Sequence, residues 1–269
     1  MPNYDPMIPN SVTATMRALL DAVSRGSVFY ASGAVSATKA LALAAKFDER
    51  YDLAMNVVRR DHARRAGRSA FRLIMFPLPG TTDLAWWLLR SEGDHPLMSL
   101  EGWKDSRRES IRWPWRYELV RLPVPVAHRR KMQGVKQQQI KSVGWTWRIR
   151  IEEVRSIEQT VRHVAQHRDE RLAHIVTGLR AAPGFRGVRQ DVAALYRHIR
   201  EQCRRRNREP PPMPTTIRWV GAFQQRQTWP LSTVVRRVQR GRDSWFPADR
   251  HPGIGTGGTP RDIASMESP

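Results

Sequence analysis

Apolar positions along the chain change their period twice. From Val12 to Ser24, and again after Ser36 through the Ala- and Leu-rich stretch KALALAAKF, the sequence reads as helix, with Gly26 stopping the first one. Asp52 is placed to cap a third helix that runs to about Ala66, just ahead of Gly67. Four short segments then turn to β-branched and aromatic residues between Pro, Gly or polar turns: Ala70 to Phe76, Leu84 to Arg90, Arg116 to Leu122 and Trp145 to Ile151. Pro79-Gly80 makes a hairpin of the first pair, and the second pair closes a hairpin across a long basic insertion. Helical spacing returns from Glu152 to about Ala181, where Pro183 and Gly184 break it, and continues from Gly187 to Arg206. PPPMP (Pro210 to Pro214) is a stiff connector, followed by a short helix after Pro230 that stops at Gly241.

These elements predict an α+β fold: N-terminal helices, a central four-stranded and mainly antiparallel sheet, two long C-terminal helices, and disordered termini. The expected organisation is 1–10 disordered and 11–68 a helical unit. An α+β core follows over 69–208, with a basic loop at 123–144 and helices at 152–181 and 187–206. Residues 209–246 form a Pro-rich connector with its short helix, and 247–269 a disordered tail rich in Pro, Gly and small polar residues.

Within the strand GWTWRIRI, alternation puts Trp145, Trp147, Ile149 and Ile151 on one face and Thr146, Arg148 and Arg150 on the other. Two isoleucines extending the indole row make that face a core face, so the strand is expected to be buried on one side and basic on the other. Base stacking on Trp145 or Trp147 is the lesser reading.

Charge narrows the partners. The 269 residues hold 46 Lys+Arg against 25 Asp+Glu, a net charge of +21, which calls for a polyanionic partner, nucleic acid ahead of an anionic membrane surface. Forty of the basic residues are Arg and six are Lys, a bias that suits bidentate phosphate contact and also a GC-rich genome. The single cysteine, Cys203, excludes a disulfide framework and a Cys-based zinc site. The start, MPNYDPMIPNSV, has no basic region followed by an apolar run, and no apolar run approaches a membrane span; the expected compartment is the cytoplasm.

The helix from Gly187 carries the sharpest pattern. Val188, Val192, Leu195, Ile199 and Cys203 make one narrow apolar stripe, and Arg186, Arg189, Arg197, Arg200 and Arg204 fall on neighbouring to opposite positions. That row is either a solvated basic face or a set of phosphate contacts, with Arg148 and Arg150 supporting it. The insertion HRRKMQGVKQQQIK adds Arg129, Arg130, Lys131, Lys136 and Lys141 as a candidate arm along a phosphate backbone. Arg59, Arg60, Arg64, Arg65 and Arg68 crowd the third helix. With the helix before it, this makes either a plain helical hairpin or a helix-turn-helix, in which Arg60 and Arg64 would meet DNA.

Catalytic and metal patterns are thin. His163, His167, Glu170 and His174 share one helical face, and His163 with His167 could begin a metal site, but HVAQH lacks the glutamate of HExxH. His62 and Arg65 form an HxxR of the kind found in tyrosine recombinases, with Tyr196 as a conceivable nucleophile. No P-loop or GxSxG occurs, GIGTGG follows no strand, and no cofactor is expected.

The stretch from Gly26 to Leu53, with WWLL (Trp86 to Leu89), RYELVR (Arg116 to Arg121) and WTWRIR (Trp145 to Arg150), resembles a family of uncharacterised basic proteins carried on bacterial integrative and conjugative elements and plasmids. The resemblance spans most of residues 25 to 200 and brings no catalytic residues. It implies a mobile-element setting, with proteins of a transfer or replication complex as further partners. The function expected from the sequence is non-enzymatic binding of nucleic acid, double-stranded DNA first. The alternatives are a DNA-nicking or recombining enzyme, and a basic module that docks an acidic protein.

Overall fold

The computed structural model describes residues 4–114, 116–124, 143–167, 171–215, 217, 227–242 and 244–247. Within them the chain is α+β, with seven helices and several antiparallel sheets, one of them four-stranded. The strands are β1 (Met7–Pro9), β2 (Phe29–Ser36), β3 (Phe71–Pro77), β4 (Asp83–Arg90), β5 (Lys104–Asp105), β6 (Ile111–Arg112), β7 (Tyr117–Pro123), β8 (Val143–Ile149) and β9 (Thr228–Pro230). The helices are α1 (Val12–Ser24), α2 (Ala37–Tyr51), α3 (Val57–Arg65), α4 (Ile151–Gln166), α5 (Arg171–Arg180), α6 (Arg186–Arg204) and α7 (Leu231–Gln239).

The four-stranded sheet has the order β3-β4-β2-β5, all antiparallel neighbours. Both of its faces are covered, which is why FRLIMF and LAWWLL are apolar almost without interruption instead of alternating with polar residues. Ile74, Phe76, Ala85, Trp87 and Leu89 enter one core, together with Met16, Leu19 and Val23 of α1. Phe71, Leu73, Met75, Leu84 and Leu88 enter the other, with Ala40, Ala44 and Phe47 of α2 and Leu231, Val234 and Val235 of α7.

Both expected hairpins form, β3–β4 and β7–β8, but they do not share a sheet. The four-stranded sheet is completed by β2, which pairs with β4 along its whole length, and the second hairpin instead joins β6 in a three-stranded sheet. The N-terminal region is therefore not purely helical: it supplies an inner strand. Ala31, Ser32, Gly33 and Ala34 gave β2 little strand character in the sequence, and the pairing supplies the reason for such small residues. Gly33 lies opposite Trp86, whose indole would stand 2.9 Å from a Cβ at that position.

The two sheets are joined by indoles. Trp87 of β4 stacks on Trp113 at 5.1 Å between centroids and 10° between planes, and Trp113 meets Trp147 of β8 edge-on at 6.2 Å. Trp147 donates its Nε1–H to the Met16 carbonyl, 2.8 Å, so the polar edge of the ring is satisfied inside the core.

Three further boundaries differ from the sequence reading. Asp52 does not begin α3; it ends α2 in the left-handed region at φ 47°, which a short Asp side chain tolerates, and Asn56 caps α3 through its side chain to the Arg59 N–H. The run expected as one helix over 152–181 is two, α4 closing at Gln166 and α5 starting at Arg171. Residues 4–10, read as disordered, are bound: β1 pairs with β9, linking the chain's start to the segment before α7. Asp5 accepts the Ser232 N–H at 2.9 Å and the Ser232 hydroxyl, capping α7 from the far end of the chain.

Replacing Asp5 by Ala removes that cap and is expected to lower unfolding stability by about 0.5–2 kcal/mol. Urea denaturation of the two proteins measures it; equal midpoints would show that the Asp5 cap contributes nothing to stability.

Candidate nucleic-acid interface

Helix α6 divides into two halves with different work. Val188, Val192, Leu195, Ile199 and Cys203 are all buried, as their spacing requires. In the N-terminal half the helix backbone lies against the free edge of β8. Gly187 approaches so closely that a Cβ would stand 2.5 Å from the Trp147 carbonyl oxygen, and its N–H bonds Thr146 Oγ1 at 3.0 Å. Asp191 accepts the Ile149 N–H at 2.8 Å and meets the Arg148 guanidinium at 3.3 Å. A helix thus covers a strand edge and supplies, through Asp191, an acceptor that a further strand would have supplied. Burial of Asp191 raises its pKa despite the Ile149 N–H and Arg148, which act to lower it.

Several arginines expected at phosphates are used here by the fold. Arg186 reaches the carbonyls of Leu122 (3.1 Å), Pro123 (2.5 Å) and Gly144 (3.2 Å), clamping the neck of the β7–β8 hairpin, and its burial lowers its pKa. Arg148 is paired with Asp191, so the outer face of β8 is not an open basic surface; Thr146 on that face is buried beneath α6. Arg150 occupies the N-cap position of α4 without a side-chain cap and pairs with Glu153 at 3.4 Å, and Arg189 is half-buried. On the indole face, Trp147 and Ile149 are buried and Trp145 half-buried, whereas Ile151 starts α4 and is 42% exposed.

The C-terminal half of α6 is the part that stays open. Arg197, Arg200 and Arg204 are exposed and line a shallow depression with Glu201. Glu201 pairs with Arg205, leaving the three guanidiniums without a carboxylate partner among the described residues. They follow i, i+3, i+7 and span about 10 Å of helix.

A second basic surface surrounds α3. Ala63 is its only buried residue. Arg60 and Arg64 are half-buried; Arg64 donates to the Arg25 carbonyl at 2.9 Å and faces Asp61 at 3.4 Å. Arg60 and Arg25 lie near enough to Arg72 to help burial push its pKa down, so three like charges gather at the foot of the helix. Val57, Val58, His62 and Arg65 face solvent above them.

The remaining candidates fare differently. Arg129, Arg130, Lys131, Lys136, Lys141 and Glu170 lie outside the described residues. His163 and His167 are exposed with ring centroids 4.6 Å apart, while His174 belongs to the next helix, α5. Among the described residues, no cluster of three or more His, Cys, Asp or Glu could hold a metal ion. Tyr196 is 3% exposed, its hydroxyl is enclosed without a hydrogen-bond partner among the described residues, and burial raises its pKa. Those are the properties of a packed core residue and the reverse of an activated nucleophile.

One buried cation was not anticipated. Arg90 closes β4 with its guanidinium 4.1 Å above the Phe29 ring and 5.3 Å from Trp103, bonded to the Ser91 carbonyl at 3.2 Å. Burial lowers its pKa, and the aromatic faces provide part of the stabilisation that a carboxylate would give. The nearby Phe29 and Trp103 are far from Arg90 in sequence, so only the sheet pairing reveals the site.

No protein-family model, curated protein or solved structure matches the chain. Among the described residues, no helix is long and apolar enough to cross a membrane.

Asp191 offers a test of the edge-capping role. Asp191→Ala leaves the Ile149 N–H without its acceptor and is expected to cost about 1–3 kcal/mol in thermal or urea unfolding. Asp191→Asn keeps an acceptor oxygen and should recover most of that loss. If both variants were as stable as the parent, the α6–β8 contact would not depend on this residue.

Proposed function

We propose that the protein binds nucleic acid, double-stranded DNA ahead of RNA, and does so without catalysing a reaction on it. The observation that carries this reading is the triad Arg197, Arg200 and Arg204, exposed on a packed helix with no internal carboxylate partner among the described residues, in a chain of net charge +21. Guanidiniums fixed on a rigid helix with their charge uncompensated form fork-shaped donors for phosphate oxygens, and counterion release from the nucleic acid drives the association. Arg186 and Arg148 contribute indirectly by holding α6 on the hairpin. The setting we propose, an accessory role in transfer or replication of a bacterial mobile element, rests on the family resemblance alone.

The reading is tested by fluorescence anisotropy with a duplex of random sequence across a salt series. Affinity should fall steeply with salt, and the triple substitution Arg197→Ala, Arg200→Ala, Arg204→Ala should reduce the slope of log K against log salt by up to about 0.9 per lost phosphate contact. An unchanged slope would remove the triad from the interface. Absence of binding to any nucleic acid, together with an acidic protein that co-purifies after nuclease treatment, would replace the reading with protein docking.

A further inference from the structure

Helix α3 buries one residue of nine and yet presents two valines to water, Val57 at 66% and Val58 at 68% exposure. A short helix gains most of its stability from a packed apolar face, and β-branched residues in its first turn lower its propensity further. Here the ends replace the missing face. Asn56 caps the start. At the other end Arg64 donates to the Arg25 carbonyl, Arg68 N–H donates to the Ala63 carbonyl, and beside Gly93 the Asp94 N–H donates to the Gly67 carbonyl while its own carbonyl accepts the Ser69 N–H. At Gly93 (φ 117°) a Cβ would stand 2.6 Å from the Gly67 oxygen, so this fastening admits only glycine. The helix is held out from the body by its ends, with one long face uncovered.

That face has a definite composition. At about 100° per residue, Val57, Val58, Asp61, His62 and Arg65 lie opposite Ala63. Val57, Val58, Asp61, His62 and Arg65 line a shallow depression with Arg25 and Arg64. Asp61 is the single carboxylate of the helix and pairs with Arg64 and Arg65, which holds the Arg65 guanidinium along the surface. Arg59, Arg60 and Arg25 flank the face, and Arg59 pairs with Asp52 at 4.0 Å.

We infer that α3 enters the major groove of double-stranded DNA, with Val57, Val58, His62 and Arg65 against the base edges and Arg25, Arg59 and Arg64 toward the flanking phosphates. This rests on the nucleic-acid reading above and adds to it a sequence-reading element. A helix with its side chains is about 10–12 Å across and fits a major groove about 12 Å wide, and the nine residues of α3 give about 13.5 Å of length to lie in it. Valine methyls match the thymine C5-methyl group, and an arginine fork matches the N7 and O6 acceptors of guanine. The preceding helix α2 is anchored in the core, and residues 52–56 join it to α3; in helix-turn-helix proteins the N-terminal residues of the second helix contact bases, and here those residues are Val57 and Val58. Double-stranded RNA does not offer this fit, because its major groove is too deep and narrow for side chains to read. Two valines are also too small an apolar face to seat a helix in a membrane surface.

The test begins with selection of preferred sequences from a randomised duplex library by the full chain. Anisotropy at fixed salt then compares the selected duplex, a random duplex of equal length and an RNA hairpin. Arg65→Ala, and separately Val57→Ser with Val58→Ser, should weaken binding of the selected duplex by about tenfold and change the random duplex by less than about twofold. All three positions are exposed, and matching melting temperatures would exclude a folding defect. The α6 triple variant should weaken both duplexes alike. The inference is overturned if selection yields no common sequence, if the α3 variants weaken both duplexes equally or neither, or if the RNA hairpin binds tightest. A parent protein that binds with salt dependence but holds the selected and random duplexes equally counts against α3 alone, whereas a parent protein that binds none of the three probes removes the nucleic-acid reading itself.

Discussion

Burial of the four-stranded sheet on both faces is the constraint from which the rest of the architecture follows. In β3 and β4, successive side chains point to opposite sides, and nearly all of them are apolar, so neither face can be left to water. One face is closed by α2 and α7, the other by α1 and by the second sheet with its helices. Closing the first face requires residues more than 200 positions apart, because α7 is positioned by the β1–β9 pairing and by Asp5 at its N-terminus. Closing the second requires a large, flat filler, and the Trp87–Trp113–Trp147 series provides it across the gap between the sheets.

Once the second sheet is docked, β8 is left as an edge strand with exposed backbone groups, a liability for any sheet. Helix α6 resolves this by lying along the edge, and the contact needs a residue with no side chain at Gly187 and an acceptor at Asp191. Arg186 then pins the hairpin neck from the same turn of helix. The charge on the N-terminal half of α6 is therefore structural in its use, and the charge on the C-terminal half is available because no element of the described chain comes to meet it.

The basic surplus is accordingly uneven in what it can do. Arg90 is enclosed by aromatic rings, Arg148 is matched by Asp191, and Arg186 is surrounded by carbonyls. Arg197, Arg200 and Arg204 face solvent without a carboxylate partner among the described residues, and Arg59 and Arg65 on α3 face solvent while paired with Asp52 and Asp61. A surplus distributed in this way leaves two solvent-facing places of different character: a row of cations on α6, and on α3 a mixed face of apolar and charged groups. On the function proposed above, phosphate contact falls to the first and base contact to the second, since a uniform row of charge carries no sequence information.

By itself the sequence determined the α+β class, both hairpins, the apolar stripe of α6 and the sign and size of the charge, because local periodicity and composition are properties of neighbouring residues. It missed β2, whose small residues make sense only against Trp86 on the adjacent strand. It also placed the cap of α3 at Asp52, where a left-handed residue ends α2 instead. Only tertiary structure decided which arginines are free. Arg186 and Arg197 look alike along the helix, but the partners that consume the first come from Leu122, Pro123 and Gly144, positions that no spacing within α6 can reveal. Electrostatic availability depends on what the folded chain brings within a few ångströms, and that is a long-range property of the structure.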